Sequence, residues 1–442
     1  MTESQVFGRI LDRAGRADPY PLYAELRKTP VAALEDGSYV VSTYREIVAL
    51  LHDPRVSSDR RNLAEHFADR EPVPPGREPP FIVVDPPEHD RLRGLAMRHF
   101  GPPGSPDLVK GLRPELTAIV TELIDAIAGD RRADIVEAVA YPFPVTVICR
   151  LLGVPREDEP RFHAWSTEIV ETVGPGERHI PPEANPTRRV RGGERPGKPA
   201  EAASEEVGSG DRHAKPERVR RRERAAEALA DYVRGLADAR RRAPGRDLLS
   251  GLLTDDGPDG GMSMEEVVST VTLLLVAGHE TTVNLIANGM LTLLRHPEVL
   301  ERMRREPDLV VGVVEELLRY EPPVHFPATR VALDDITIGD TTIPRGAPIV
   351  LALAAGNRDP DHVRAPERFD PCRETNEHLG FGGGVHYCFG APLARLEAQT
   401  ALGELTRRLR DPRLVADPPP YRPSSALRGP RRLLVDYDGV DP

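Results

Sequence analysis

The chain has 442 residues and a formal net charge of −11, with 39% hydrophobic and 29% charged residues. This length accommodates one large core or a few smaller domains, and a protein with a pI of about 5.7 is a poor general binder of nucleic acid. The N-terminal segment carries charges throughout, and the longest apolar run, VTLLLVAG, is too short to cross a bilayer. We therefore expect a soluble, cytoplasmic protein that binds neither nucleic acid nor membrane.

Helical patterns dominate the chain, and two groups of short strands interrupt them. The alternating sequence VAALEDGSYVVS turns at Asp36 and Gly37 and predicts a hairpin. Residues 334–353 combine β-branched residues with Gly and Pro, which predicts further short strands. Together these patterns predict a mainly α protein with a small β portion, folded as a single domain over residues 1–442. Apolar periodicity predicts the main helices over 44–52, 87–99, 112–127, 141–152, 157–173 and 264–295.

One segment departs from the helical pattern. Residues 174–224 contain neither leucine nor an aromatic residue, so they cannot bury enough apolar surface to offset the entropy of ordering the backbone. The sequences on both sides are helical. We therefore predict a low-complexity insertion at about 174–222 between two helices, and we favour a tolerated surface insertion over a specific binding role.

The three cysteines differ in their surroundings. Cys149 lies in an apolar helical stretch, where a structural thiol is the default. Cys372 has no CxxC partner, which argues against a zinc site, and three scattered cysteines do not make a disulfide framework. Cys388 lies in the glycine-rich sequence FGGGVHYCFG, just before a helix that begins near Pro392. The helix N-terminus is expected to favour a thiolate at Cys388.

A thiolate on a glycine-rich loop suits a metal centre that takes most of its ligands from elsewhere. Haem iron fits this description because the macrocycle supplies four nitrogens and the protein one axial sulfur. A dinucleotide-binding loop is the rival interpretation, but Tyr387 stands where that motif requires its third glycine.

The cysteine loop resembles the F-G-x-G-x-H-x-C-x-G haem loop of the cytochrome P450 superfamily of haem-thiolate monooxygenases, in their soluble bacterial form. The similarity runs from about Asp18 to the C-terminus, apart from the insertion. It implies a long central helix over haem b, with the cysteine loop beneath it and Cys388 as the axial iron ligand. The residues that carry the resemblance are Phe381, Gly382, Gly384, His386, Cys388 and Gly390.

The sequence AGHETT interrupts the long apolar helix with an acid and two threonines. Taken alone, it indicates a helix bend whose polar groups are satisfied locally. The resemblance implies instead that Ala277 contacts the haem and that Glu280 and Thr281 form the acid–alcohol pair of the family. Such a pair delivers the protons needed to split dioxygen.

Two further groups of charged residues match the family. Glu316 and Arg319 are three residues apart within an apolar run, and the resemblance implies a buried structural network completed by Arg368. Taken alone, such a pair is usually solvated. The family's haem propionate contacts map onto His89, Arg93, Arg330 and His386.

The resemblance also implies partners and a pocket. The chain contains no recognisable flavin or nicotinamide module, so electrons from NAD(P)H are expected to arrive through a ferredoxin reductase and a ferredoxin. Basic residues near the cysteine side, Arg91, Arg98 and Arg395, are expected to attract the ferredoxin. The other substrates are dioxygen and a hydrophobic small molecule of secondary metabolism, such as an antibiotic precursor. The implied pocket residues are Phe81, Ile82, Leu273, Val276, Val324, Phe326 and Leu427.

Two alternatives remain at this point. A haem-thiolate oxidase would couple or cyclise its substrate without inserting oxygen, and the intact Glu280–Thr281 pair argues against it. A non-catalytic haem sensor would not need that pair at all.

Overall fold

The computed structural model describes residues 1–67, 78–100, 107–170, 174–175, 217–255, 257 and 260–442. Helices make up most of this part of the chain. In chain order they are α1 (Glu3–Leu11), α2 (Tyr20–Leu26), α3 (Tyr44–Leu51), α4 (Glu88–Phe100), α5 (Leu108–Gly111), α6 (Arg113–Asp125), α7 (Pro142–Leu152), α8 (Glu159–Val170), α9 (Glu217–Arg242), α10 (Leu248–Thr254), α11 (Met264–Arg295), α12 (Pro297–Arg305), α13 (Leu309–Tyr320), α14 (Leu353–Gly356) and α15 (Ala391–Arg408).

The strands are short and form small sheets. They are β1 (Val31–Ala33), β2 (Tyr39–Val41), β3 (Val56–Ser57), β4 (Arg132–Asp134), β5 (Arg330–Ala332), β6 (Ile336–Ile338), β7 (Thr341–Ile343), β8 (Pro348–Leu351), β9 (Leu409–Arg410), β10 (Arg413–Leu414), β11 (Leu434–Asp436) and β12 (Gly439–Val440). The largest sheet has the order β1-β2-β8-β5-β3. Its β2–β8 pair is parallel, with Tyr39 opposite Ile349. The β1–β2 hairpin confirms the prediction at Asp36 and Gly37.

Helix α11 runs through the centre of the molecule. It begins at a capping box, in which the Ser263 hydroxyl and the Glu266 carboxylate each accept a backbone N–H of the other residue. At Gly289 a Cβ atom would lie 2.8 Å from Leu402 and 2.9 Å from Leu317. The glycine therefore allows α11 to cross α13 and α15 closely. Among the described helices, α11 has the length and composition of a membrane span, but 67% of its apolar window is buried within the protein.

The predicted helices are confirmed with small shifts at their ends, and α11 has the predicted limits. Most of the predicted insertion, residues 176–216, lies outside the described residues, as do the last three residues of the helix predicted over 157–173. The predicted C-terminal limit of the insertion is wrong, because α9 already begins at Glu217. This first turn is polar but is stabilised by ion pairs from Glu217 to Arg220 and Arg224.

Candidate active site

The cysteine loop, residues 381–390, lies between α3 and the start of α15. The Cys388 N–H donates to the Phe381 carbonyl at 3.0 Å, which closes the loop. Gly384 has a φ of +63°, and a Cβ atom there would lie 1.9 Å from the Leu51 carbonyl oxygen. Only glycine permits both this backbone conformation and this approach to α3. The glycine run therefore fixes the loop against the end of α3.

Aromatic contacts hold the loop from two other sides. Phe389 stacks on Phe100 of α4 with 4.7 Å between ring centroids, and it contacts Phe81 at 5.8 Å. On the opposite side, the Arg395 guanidinium lies 4.5 Å from the centre of the Phe381 ring. The position of Cys388 is therefore set by α4 and α15 together.

The pKa of the Cys388 thiol is raised, whereas a position just before a helix N-terminus was expected to favour the thiolate. Burial raises the pKa of the Cys388 thiol, and this effect outweighs the hydrogen bonds from the Gly390 and Ala391 N–H groups and the charges of Arg93 and Arg395. The helix N-terminus is present, as predicted, but it does not by itself produce a thiolate. A metal cation at the sulfur would do so, because a coordinating thiol is deprotonated outright.

Four basic side chains surround this region. His89 is buried with its Nε2 lacking a hydrogen-bond partner among the described residues, and its ring lies 4.4 Å from that of His386. Arg330 is buried and donates to the Ala328 carbonyl, and Arg93 donates to the Tyr387 carbonyl. Within the described ranges, neither arginine forms a salt bridge. The cluster has an excess of positive charge that two carboxylates would balance.

The pKa values of two of these side chains are set first by burial. Burial, followed by the positive charges of Arg330, His89 and Arg93, lowers the pKa of His386 to about 3. Burial lowers the pKa of Arg330 to about 10, against a partial opposing effect of Asp85. The cluster thus fits haem, whose two propionates are the anions that it lacks. No group of three His, Cys, Asp or Glu side chains in the described chain suits a metal ion.

Helix α11 presents two of its predicted residues on an open face. Ala277 is exposed and Thr281 is half-buried one turn later, and the Thr281 hydroxyl donates to the Ala277 carbonyl at 3.1 Å. Glu280 is only 1% exposed. Consecutive helical residues point about 100° apart, so the Glu280 carboxylate lies on a different face from the Thr281 hydroxyl.

Glu280 is held by groups from three parts of the chain. Arg422 Nη1 lies 2.8 Å from Oε2, while the Ser166 hydroxyl lies 3.1 Å and His279 Nε2 3.6 Å from Oε1. Burial alone would raise the pKa of Glu280. The interactions with His279, Arg422 and Ser166 outweigh it and lower the pKa to about 2. The carboxylate is therefore ionised at neutral pH.

The buried network around Glu316 corrects one assignment. Arg319 binds both Glu316 oxygens, at 2.7 and 2.8 Å, as expected. The second arginine is Arg373, whose Nε lies 3.0 Å from Oε1. The assignment of Arg368 is wrong. Its backbone carbonyl accepts hydrogen bonds from Arg319 and Arg373, but its side chain is 75% exposed to solvent.

Five of the seven predicted pocket residues keep some exposed surface. Leu273 and Val276 on α11 are half-buried, as are Val324 and Leu427, which form an antiparallel β-bridge. Ile82 is exposed.

Two pocket assignments are wrong. Phe326 is 1% exposed and packs against Phe7 and Tyr23 of the N-terminal helices. Phe81 is buried against Phe389 and His89, so it supports the cysteine loop. Neither presents surface to a ligand, because both are packed in the core.

The arginines expected to attract a redox partner are each paired with an acid. Arg91 contacts Glu266, and Arg98 lies 2.9 Å from Asp255. Arg395 lies 2.7 Å from Glu315. These ion pairs reduce the positive charge available for docking, because each guanidinium already faces a carboxylate.

Several site residues were not identified from the sequence. Ser166 and Arg422 contact Glu280 from 114 and 142 residues away, and no local pattern indicates such contacts. Glu397 is fully buried beside Thr282, and burial raises its pKa well above the ordinary value despite the Thr282 hydroxyl. The sequence ARLEAQ could have indicated a buried acid, because the glutamate there follows apolar positions that are one helical turn apart and buried.

Comparison with known proteins agrees with this geometry. A sequence model of the family described as Cytochrome P450 matches residues 214–435. The chain is 37% identical over 434 residues to cytochrome P450 monooxygenase PikC of Streptomyces venezuelae, covering 95% of this chain and 91% of that protein. It is 35% identical over 439 residues to 6-deoxyerythronolide B hydroxylase of Saccharopolyspora erythraea, with 96% of each covered. Ligand-free Mycobacterium smegmatis CYP164A2 superimposes with a TM-score of 0.83 at 38% identity, covering 98% of this chain and 100% of that one.

The matches extend over nearly the whole of both chains, and they confirm the resemblance and the predicted fold. Bacterial members of this family bind haem iron, receive electrons from redox proteins and oxidise hydrophobic substrates. The chain belongs to the cytochrome P450 superfamily and is a haem-thiolate monooxygenase.

Proposed function

We propose that this monooxygenase inserts oxygen into a bulky apolar substrate of secondary metabolism, with electrons passed from NAD(P)H through a ferredoxin reductase and a ferredoxin. The observation that carries the proposal is the arrangement around Cys388: one recessed thiol on a fixed loop, beside two arginines, Arg93 and Arg330, that form no salt bridge within the described residues. When bound, haem supplies the activation of dioxygen, in which two electrons and two protons are consumed, one oxygen atom enters the substrate and the other leaves as water.

The chain's own residues bind and orient the cofactor. Cys388 would ligate the haem iron through its sulfur, and the loop residues Phe381, Gly382 and Gly390 would shape the surface around that sulfur. Ala277 would contact the haem from α11. The propionates would be held by His89, Arg93, Arg330 and His386. The unpartnered Nε2 of His89 and the absence of a salt bridge to Arg93 or Arg330 among the described residues support this role.

Proton delivery is assigned to Thr281 and Glu280. The Thr281 hydroxyl holds a water on the open face of α11. Glu280 takes protons from the solvent side and passes them towards that water. Because the carboxylate is held on another face by Ser166 and Arg422, a side-chain rotation is part of each transfer. Its low pKa keeps the carboxylate ionised between transfers.

The substrate class follows from the apolar residues that remain available. Leu273, Val276, Val324 and Leu427 present half-buried apolar surface, and such surface favours a hydrophobic ligand. Known relatives include a vitamin D(3) 25-hydroxylase, 35% identical over 426 residues, and a polyketide biosynthesis cytochrome P450, 31% identical over 405 residues. Their names support a bulky, largely apolar substrate for this chain.

The remaining inferences concern organisation and location. We infer a single domain over residues 1–442, in which α8 and α9 belong to the lid over the substrate. The low-complexity insertion predicted between them lies almost entirely outside the described residues. We also infer a cytoplasmic location, which is where a soluble ferredoxin and its reductase are available.

The test uses the haem-loaded protein with a surrogate ferredoxin and reductase. A substrate is first found by following the spin-state shift of the ferric haem, and it is then turned over under ¹⁸O₂. We expect one ¹⁸O atom in each product molecule. Product without ¹⁸O would support the oxidase alternative, and substrate binding without turnover would support a haem sensor.

A further inference from the structure

Ser166 joins α8 to the charged residues of α11. Its side chain is buried, and its hydroxyl oxygen lies 3.1 Å from Glu280 Oε1 and 3.0 Å from His279 Nε2. A carboxylate only accepts hydrogen bonds, so the serine hydroxyl donates to Glu280. Ser166 therefore connects α8 directly to the Glu280 carboxylate.

The other contacts of Glu280 lead back to the same helix. Arg422, which pairs with Glu280, belongs to the C-terminal loop that also carries Ser425. The Ser425 hydroxyl donates to the Pro175 carbonyl at 3.2 Å, just beyond the end of α8. At Gly174 a Cβ atom would lie 1.9 Å from the Ser425 hydroxyl oxygen. Residues 174 and 175, four and five positions beyond the last residue of α8, are therefore in close contact with the loop of Arg422.

These contacts make the surroundings of Glu280 sensitive to the position of α8. Displacement of α8 from α11 would remove the Ser166 hydroxyl from Oε1 and would disturb the loop that holds Arg422. A buried, charged carboxylate needs hydrogen-bond partners. If either Ser166 or Arg422 were lost, the Glu280 carboxylate would therefore turn to a different orientation.

We propose that Ser166 is a positioning residue for proton delivery, which makes the orientation of the Glu280 carboxylate depend on where α8 lies against α11. The proposal rests on the proposed role of Glu280. Ser166 does not transfer a proton itself. It returns the buried Glu280 carboxylate to one defined position between transfers, so that protons reach Thr281 in step with electrons.

The first measurement is the infrared carboxylate band of Glu280, identified by difference against Glu280→Gln. In Ser166→Ala we expect this band to shift and broaden, because one hydrogen bond is lost. The matched control is Thr167→Ala on the same helix, which should leave the band unchanged. A band that is the same in Ser166→Ala and in the unchanged protein would overturn the proposal.

The second measurement is the yield of product per NAD(P)H oxidised, in a double-mutant cycle. Ser166→Ala should lower this yield by about tenfold or more, the order expected for one hydrogen bond to a charged group, with haem content unchanged. In the Glu280→Gln background it should have no further effect. An equal loss in both backgrounds, or no loss in either, would contradict the proposal.

Two outcomes distinguish the role of Glu280 from that of Ser166. If Glu280→Gln alone leaves the yield unchanged, the proposed role of Glu280 in proton delivery is wrong. If Glu280→Gln lowers the yield and Ser166→Ala does not, only the positioning role of Ser166 is wrong.

Discussion

Arg373 Nε lies 3.0 Å from Oε1 of Glu316, a carboxylate with no exposed surface. Arg319 binds the same carboxylate through two nitrogens, and the Asp370 N–H donates to it at 2.9 Å. The carboxylate is thus shared between two guanidiniums, and it connects α13 to the segment that leads into the cysteine loop.

This relationship predicts different costs for two neighbouring arginines. Arg373→Ala leaves part of a buried charge unpaired and should lower the free energy of unfolding by about 3 kcal/mol. Arg368→Ala is the matched control: it removes an exposed side chain and should cost less than about 0.5 kcal/mol. Urea unfolding of the two variants measures both values. Equal costs would restore the assignment of Arg368.

The pH dependence of stability should reveal the ion pairs of Glu280. Its pKa is about 2 in the folded protein against an ordinary value of 4.5, so the unfolded chain binds its proton first as the pH falls. The stabilisation is present above pH 4.5 and is lost as the pH falls towards 2, and it amounts to about 3 kcal/mol at neutral pH.

Glu280→Gln removes this contribution. The difference in unfolding free energy between the unchanged protein and Glu280→Gln should therefore shrink between pH 5 and pH 3. Urea unfolding at several pH values measures it. A difference that is constant over this range would show that the folded-state pKa of Glu280 is not depressed.

Much of the fold was predictable because it depends on local patterns. Apolar periodicity gave the limits of α11, and Asp36-Gly37 gave the β1–β2 hairpin. The cysteine loop was also recognisable, since its residues are contiguous. The role of Arg373 was not predictable, because the path of the chain between residues 365 and 373 decides which arginine faces Glu316. Similarly, only the packing of α8 and the C-terminal loop brings Ser166 and Arg422 to Glu280.

Thr281→Ala should separate proton delivery from binding. The Thr281 hydroxyl contacts the Ala277 carbonyl within its own helix, so its loss should leave haem content and substrate affinity close to normal. Electrons should still be consumed, but they should appear as hydrogen peroxide. Product per NAD(P)H oxidised should fall several-fold, because protons then reach the oxygen without the hydroxyl that positions them. Full yield in this variant would leave Thr281 as a residue that only shapes the helix.

The central claim is that Cys388 provides the axial sulfur, and the spectrum of the reduced carbon monoxide complex tests it most directly. The unchanged protein should show the strongly red-shifted Soret band of a thiolate ligand. Cys372→Ser, at an exposed cysteine, should retain that band, whereas Cys388→Ser should lose it together with oxygenation. A red-shifted band that persists in Cys388→Ser would show that another residue ligates the iron and would contradict the account.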